Sequence, residues 1–205
     1  MELIARGGFM MYPLLLSAFV AFTVIIERTY FWGRRLGASV DGEREALAAA
    51  GGAPPKALIA KLEGLGNPLD DVLAAGLARL GSPALEIERA MQHRAEQWTP
   101  IIERRLDVLD TVITAAPLMG LLGTITGMMA SFHSLSDSSA VEGGAAQAIT
   151  AGVAEALIAT ATGLVIALVC LLAYNYFQFK ARSTIYKIEG AAGRLLAAVA
   201  SGPAR

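Results

Sequence analysis

The sequence predicts an all-α integral membrane protein with three transmembrane helices, from which long helices extend into the cytoplasm. Of its 205 residues, 55% are hydrophobic and only 17% are charged. Three windows, 7–26, 111–136 and 143–179, contain no charged residue except Glu155. Each is long enough to cross the apolar core of a bilayer, which needs about 20 helical residues. The charged segment between the first two windows is too polar for lipid, so we expect it to form an aqueous domain.

Residues 1–32 are predicted to form an outside N-terminus and the first transmembrane helix. The apolar stretch Phe9–Ile26 is longer than the apolar part of a secretory signal, and no small-residue cleavage site follows it. We therefore expect this span to be retained. Tyr30, Phe31 and Trp32 directly follow it, and such residues are typical of the aromatic belt at a membrane interface.

Residues 33–110 are predicted to form a cytoplasmic helical domain. Clusters of Gly and Pro divide it into short helices. These clusters lie at 51–55, 64–68 and 81–83. Beyond the last cluster an apolar stripe continues into the second span, and only Pro100 interrupts it. We therefore expect one long helix that runs from the cytoplasm into the membrane.

The second transmembrane helix is predicted at 111–136. Small and hydroxyl residues recur there every three or four positions, so they share one narrow helix face. They are Gly120, Gly123, Thr124, Gly127 and Ser131. Such a ridge lets helix backbones approach closely in lipid. Close packing alone would explain the glycines, but it explains Thr124 and Thr126 less well, although a threonine can bond a carbonyl of its own helix. Pro117 is predicted to kink the helix.

A short outer connection at 137–146 is predicted to lead to the third transmembrane helix at 147–179. The only carboxylate of this third helix is Glu155, and small residues and threonines lie on and beside the helix face of Glu155. These are Gly152, Ala156, Ala159, Thr160, Thr162 and Gly163. Ionisable residues inside a membrane are costly and mark functional sites by default. The alternative is a glutamate at the outer interface that caps a helix or contacts another subunit.

The distribution of Lys and Arg predicts the orientation. Basic residues follow the first span, precede the second and follow the third, and none lies between Arg105 and Lys180. The positive-inside rule therefore puts the N-terminus outside and both the large loop and the tail in the cytoplasm. The tail, residues 180–205, is predicted to be a cytoplasmic C-terminal helix with an apolar stripe.

Several classes of function are not expected. The net charge is −1 and its signs are mixed along the chain, so nucleic acid is an unexpected partner. The sequence offers no paired nucleophile and base, no cluster of metal ligands and no phosphate-binding loop, so we expect no enzyme, metal site or cofactor. We expect His93 on the surface, His133 at the outer interface and Cys170 as an apolar packing residue.

Two segments resemble a known family. The first is PLMGLLGTITGMMASF, residues 117–132, and the second is GVAEALIATATGL, residues 152–164. The chain resembles the ExbB/TolQ/MotA family of proton-driven motor subunits. Its three predicted spans place it in the ExbB/TolQ branch, and it is most similar to ExbB-type biopolymer transport proteins.

The resemblance implies a homo-oligomer, a pentamer, in the bacterial inner membrane, with a periplasmic N-terminus and a cytoplasmic C-terminus. A dimer of single-span ExbD/TolR-type partners is then expected in a central pore. Glu155, Thr124 and Thr160 would line that pore as the proton pathway, with Thr126 and Thr162 as secondary polar candidates. The implied function is to use the proton motive force, through a TonB- or TolA-like effector, to power TonB-dependent import across the outer membrane. The alternatives are a TolQ-like subunit of the Tol-Pal envelope system and a membrane scaffold that conducts no ions.

Overall fold

The structure, a computed structural model, describes residues 7–35, 40–50, 56–137 and 144–201. The helices are α1 (Met11–Arg35), α2 (Val40–Ala49), α3 (Lys56–Gly64), α4 (Pro68–Leu77), α5 (Ala84–Ile102), α6 (Leu106–Asp137) and α7 (Gly144–Ser201). No β-strand occurs in these four ranges, and the prediction of an all-α fold is confirmed.

Among the described residues, three helical stretches are long and apolar enough to cross a membrane. They are Met11–Gly33, Ile149–Ser201 and Ala84–His133, and the last of these includes the break between α5 and α6. Large apolar side chains are exposed along all three, among them Phe19, Leu121 and Leu172. Exposed apolar surface of this extent is rare in a soluble protein and is the expected outer face of a protein in lipid. The prediction of an integral membrane protein with three transmembrane helices is therefore confirmed.

One compact unit comprises the described residues within 1–26 and 105–176. Its buried positions recur every three or four residues along each helix, as the 3.6-residue period requires. They include Leu14 and Ala21 in α1, Leu109, Val112 and Ala116 in α6, and Ala156, Ala159, Ala167 and Cys170 in α7. Most of these residues in α7 are small, so the neighbouring helices lie close to its backbone.

A second compact unit comprises the described residues within 27–104 and 177–205. Its apolar core is formed by α2 to α5 and the C-terminal part of α7, and it includes Leu73, Leu77, Met91 and Leu195. Helix α4 begins at Pro68 because the side chain of Asn67 accepts a hydrogen bond from the Leu69 N–H at 3.1 Å. This cap satisfies one of the donors left open at a helix start.

The prediction of a single helix from the cytoplasm into the second span is wrong. Helix α5 ends at Ile102, and α6 begins at Leu106 after a break in which Arg105 has a φ of 64°. A residue in this left-handed region ends the hydrogen-bonding pattern of a right-handed helix. Buried Arg28 also donates to the carbonyls of Ile101 and Ile102, each at 3.2 Å, so it stabilises the end of α5.

The second and third predicted spans each lie within one helix. The second, 111–136, lies within α6, and the third, 147–179, lies within α7. The outer connection at 137–146 lies largely outside the described residues. The points at which membrane gives way to solvent along these helices remain predictions.

Candidate functional site

Helices α6 and α7 contact each other along a line of small residues, which we call the α6–α7 seam. A methyl group added to Gly120 would lie 3.0 Å from the Cα atom of Thr160, and one added to Gly163 would lie 2.5 Å from the carbonyl oxygen of Ala116. Towards the other end, a methyl group on Gly127 would lie 3.1 Å from the carbonyl oxygen of Gly152. Residue numbers rise along one helix as they fall along the other, so the two helices are antiparallel and nearly in backbone contact.

The glycines expected to allow close packing all lie against the partner helix. They are Gly120, Gly123, Gly127, Gly152 and Gly163. Ser131 also belongs to the seam, because its hydroxyl lies against Gly152 and donates to the Gly127 carbonyl at 3.0 Å. Pro117 lies inside α6, and the kink expected there stays a prediction.

Thr160 connects the two helices by a hydrogen bond. Its hydroxyl lies 3.1 Å from the carbonyl oxygen of Gly120 in α6 and 3.3 Å from that of Ala156 in its own helix. The side chain is half-buried. The absence of a side chain at Gly120 allows this approach, so the hydrogen bond from Thr160 depends on glycine at position 120.

Thr124 lies on the same side of α6 as Gly120, because residues four apart share a helix face. Its hydroxyl donates to the carbonyl of Leu121 at 2.6 Å, and the side chain is half-buried. In an antiparallel pair, Thr124 is then about one helix turn from Thr160 along the seam. The structure thus places these two predicted hydroxyls along one side of the α6–α7 pair.

The secondary candidates also bond to carbonyls of their own helices. The exposed Thr126 lies 3.1 Å from the carbonyl oxygens of both Leu122 and Gly123. The half-buried Thr162 donates to the carbonyl of Ile158 at 2.8 Å. None of the four threonines therefore requires a partner outside this chain for its donor.

The carboxyl group of Glu155 lies against the N-terminal segment that precedes α1. A methyl group added to Gly8 would collide with Glu155 Oε1 and would lie 2.6 Å from its Cδ atom. Gly8 has a φ of +69°, and Glu155 is half-buried. Sequence reasoning missed this contact because no local pattern connects residue 8 with residue 155.

Glu155 and Thr162 lie on the face of α7 that is directed towards α1. Ile158, three residues beyond Glu155, lies beside the buried Gly7. Farther along α7, Ile166 and Cys170 line an apolar cleft of about 380 Å³ with residues of α1. The predicted trio is therefore divided: Thr124 and Thr160 lie along the seam, whereas Glu155 lies beneath the N-terminal segment.

The remaining candidates from the sequence lie as follows. His93 is exposed and lies 3.1 Å from Gln97 Nε2, and Cys170 is buried among apolar residues. His133 is exposed near the end of α6. Within the described part of the chain, no three His, Cys, Asp or Glu side chains come close enough together to hold a metal ion.

Comparison with known proteins identifies the family. A family model described as the MotA/TolQ/ExbB proton channel family matches residues 65–190, which contain both α6 and most of α7. Biopolymer transport protein ExbB-like 3 of Synechocystis sp. is 33% identical over 172 residues, which cover 84% of this chain and 81% of the relative.

Other relatives match a shorter region. The biopolymer transport protein ExbB of Aquifex aeolicus is 34% identical over 92 residues, 45% of this chain and 60% of the relative. The Tol-Pal system protein TolQ of Pseudomonas aeruginosa is 39% identical over 97 residues, 47% of this chain and 40% of the relative. The match to the family model and the three apolar helices lead to one conclusion: this chain is a multi-pass protein of the bacterial inner membrane and belongs, as an ExbB-type member, to the MotA/TolQ/ExbB proton channel family.

Proposed function

We propose that this chain forms a homopentamer whose α6 and α7 helices line a central pore, and that a dimer of ExbD/TolR-type single-span proteins occupies it. The complex uses the proton motive force to drive a TonB-like effector, and so powers TonB-dependent import across the outer membrane. The α6–α7 seam supports this proposal more than any other feature. Its glycines bring the backbones of α6 and α7 together, and the hydroxyls of Thr124 and Thr160 lie along one side of the helix pair.

The hydroxyls of Thr124 and Thr160 suit a proton pathway because of how they are bonded. Each uses its only proton to bond a backbone carbonyl, at 2.6 Å and 3.1 Å respectively. A hydroxyl oxygen has two lone pairs, so each group still accepts hydrogen bonds from the pore side. Water or a protonated carboxyl group of the partner helix can then donate to them.

Glu155 has a separate role in this proposal, as a relay or gating carboxylate near the outer end of the pathway. One charge that crosses the membrane releases about 2.3 kcal/mol per 100 mV. A carboxylate that takes up and releases a proton couples this energy to movement of the partner helices, provided that it is held in a defined place. The carboxyl group of Glu155 lies against the Gly8 backbone.

The proposed topology follows from the charge distribution. Residues 1–32 provide a periplasmic N-terminus and the first span, and residues 33–110 form a cytoplasmic domain. The second and third spans, 111–136 and 147–179, are joined by a periplasmic connection at 137–146. Residues 180–205 form a cytoplasmic C-terminal helix. The complete absence of Lys and Arg between residues 105 and 180 supports this orientation.

The pathway can be tested with the complex purified through a tag on this chain. Proton flux is measured with a pH-sensitive dye after reconstitution into vesicles of phosphatidylethanolamine and phosphatidylglycerol under an imposed potential. Glu155→Gln should lower the flux about 100-fold or more, because a positioned proton-transfer group contributes at least this much to a rate. Thr160→Val should also lower it, since valine keeps the shape and removes the hydroxyl.

Thr23→Val is the matched control for these variants. Thr23 also donates to a carbonyl of its own helix, Phe19 at 2.9 Å, but it is exposed on α1 and away from the seam. Its replacement should leave the flux unchanged. If Glu155→Gln and Thr160→Val conducted as well as Thr23→Val, the proton pathway would be wrong, and a scaffold that conducts no ions would be the better account.

The second candidate is a TolQ-like role in the Tol-Pal envelope system, and the identity to the Pseudomonas aeruginosa protein favours it. The partner decides between the two branches. If the ExbB-like role holds, deletion of the gene for this chain should abolish growth on a nutrient that needs TonB-dependent import. Detergent sensitivity and defective envelope constriction, with import intact, would instead favour the TolQ-like role.

A further inference from the structure

The N-terminal segment before α1 approaches α6 and α7 at three neighbouring positions. A methyl group on Gly7 would collide with Met11 and lie 3.3 Å from Ile158 Cγ2 in α7. The Cβ atom of Met10 lies 3.3 Å from the point where Gly123 of α6 would carry a methyl group. Between these contacts lies Gly8, against the carboxyl group of Glu155. The segment is therefore packed against both helices that line the proposed pathway.

Two independent features require glycine at position 8. Its φ of +69° lies in the left-handed region, which side chains other than glycine rarely adopt. In addition, the place that a methyl group would fill is already taken by Glu155 Oε1, with Cδ at 2.6 Å and Cγ at 3.1 Å. The Gly8 carbonyl meanwhile accepts a hydrogen bond from the Met11 N–H at 3.1 Å, which fixes the turn that leads into α1.

We propose that Gly8 is a positioning residue that holds the carboxyl group of Glu155 in place for proton transfer. This proposal depends on the proposed role of Glu155 in the pathway. The absent side chain makes a recess in the backbone, and the carboxyl group fills it. Because Glu155 is a flexible side chain, a methyl group at position 8 would displace the carboxyl group and leave the helix backbones in place.

The main test is Gly8→Ala, measured as proton flux of the purified complex in the same vesicles. The flux should fall about tenfold or more, since misplacing a reacting group by about 1 Å can cost that much. The double variant Gly8→Ala with Glu155→Asp should recover part of it, because aspartate is shorter by one C–C bond of about 1.5 Å and leaves room for the methyl group. A merely structural defect at position 8 would not be rescued by shortening Glu155.

Gly66→Ala is the matched control for backbone strain. Gly66 has a φ of +63°, close to that of Gly8, but a methyl group there would meet nothing within 4 Å. This variant should keep full flux. If it lost as much flux as Gly8→Ala, strain alone would explain the effect and the positioning role would be wrong.

A second measurement does not depend on proton flux. A hydrophobic carbodiimide labels carboxyl groups, and mass spectrometry gives the labelling rate of Glu155 relative to that of the exposed Asp110. Gly8→Ala should raise this ratio several-fold, whereas Gly66→Ala should leave it unchanged. An unchanged ratio in Gly8→Ala would overturn the proposal. A raised ratio together with full flux in Glu155→Gln would support the contact and reject the proton role of Glu155, so the two failures are distinguishable.

Discussion

Gly163→Ala is the sharpest test of the α6–α7 seam. The added methyl group would lie 2.5 Å from the Ala116 carbonyl oxygen and 3.3 Å from the Cα atom of Gly120. Both atoms belong to the backbone, so no side chain can move aside. An ordinary contact between carbon and a carbonyl oxygen begins at about 3.3 Å, so the helices must separate locally by about 1 Å.

The expected loss of stability combines three effects. Overpacking a tight contact costs about 1–3 kcal/mol. Separation by about 1 Å also breaks the 3.1 Å hydrogen bond from Thr160 to the Gly120 carbonyl, and such a bond between helices in a membrane is worth about 0.6 kcal/mol. The higher helix propensity of alanine offsets up to about 1 kcal/mol of this loss. The variant should therefore be less stable by about 0.6–2.6 kcal/mol.

Cys170 provides the assay because it is the only cysteine and is buried. Its labelling by a maleimide, followed during a titration from mild detergent into dodecyl sulfate, reports when this unit opens. Gly193→Ala is the matched control on the same helix, because a methyl group there would meet nothing within 4 Å. It should be neutral or slightly stabilising. Equal midpoints for Gly163→Ala and Gly193→Ala would refute the tight seam.

Two further predictions concern the other compact unit, and thermal unfolding followed by circular dichroism tests both. Arg28→Met should destabilise that unit by about 1–3 kcal/mol, because it removes the donor to the carbonyls of Ile101 and Ile102. Arg28→Lys should recover only part of the loss. If Arg28→Met left the stability unchanged, these hydrogen bonds would be unimportant. Asn67→Ala should cost about 1 kcal/mol through loss of the bond from the Leu69 N–H, whereas Asn67→Asp, which keeps the acceptor, should not.

The membrane helices could be predicted from sequence because their signals are local. Long windows without charge define the spans, and the three- and four-residue spacing of Gly120, Gly123 and Gly127 defines one face of α6. Neither signal depends on a distant part of the chain. The same is true of the two family segments, which lie wholly within α6 and α7.

Features that depend on distant residues could not be predicted. The contact between Gly8 and Glu155 brings together residues from the two separate segments of the first unit. The end of α5 depends on Arg28, which is far away in sequence. It also depends on a left-handed conformation at Arg105, where the residue is not the glycine that would usually indicate this conformation. The apolar stripe continued through this break, so periodicity alone suggested an unbroken helix.

The bonding of the hydroxyls has a consequence for biogenesis. Thr124, Thr126, Thr160, Thr162 and Ser131 all donate to carbonyls within the same chain. None of these five donors therefore faces hydrocarbon without an acceptor, an arrangement that would be costly. Insertion of a single copy into the bilayer therefore carries no penalty for these five hydroxyls, whatever the chain later assembles with.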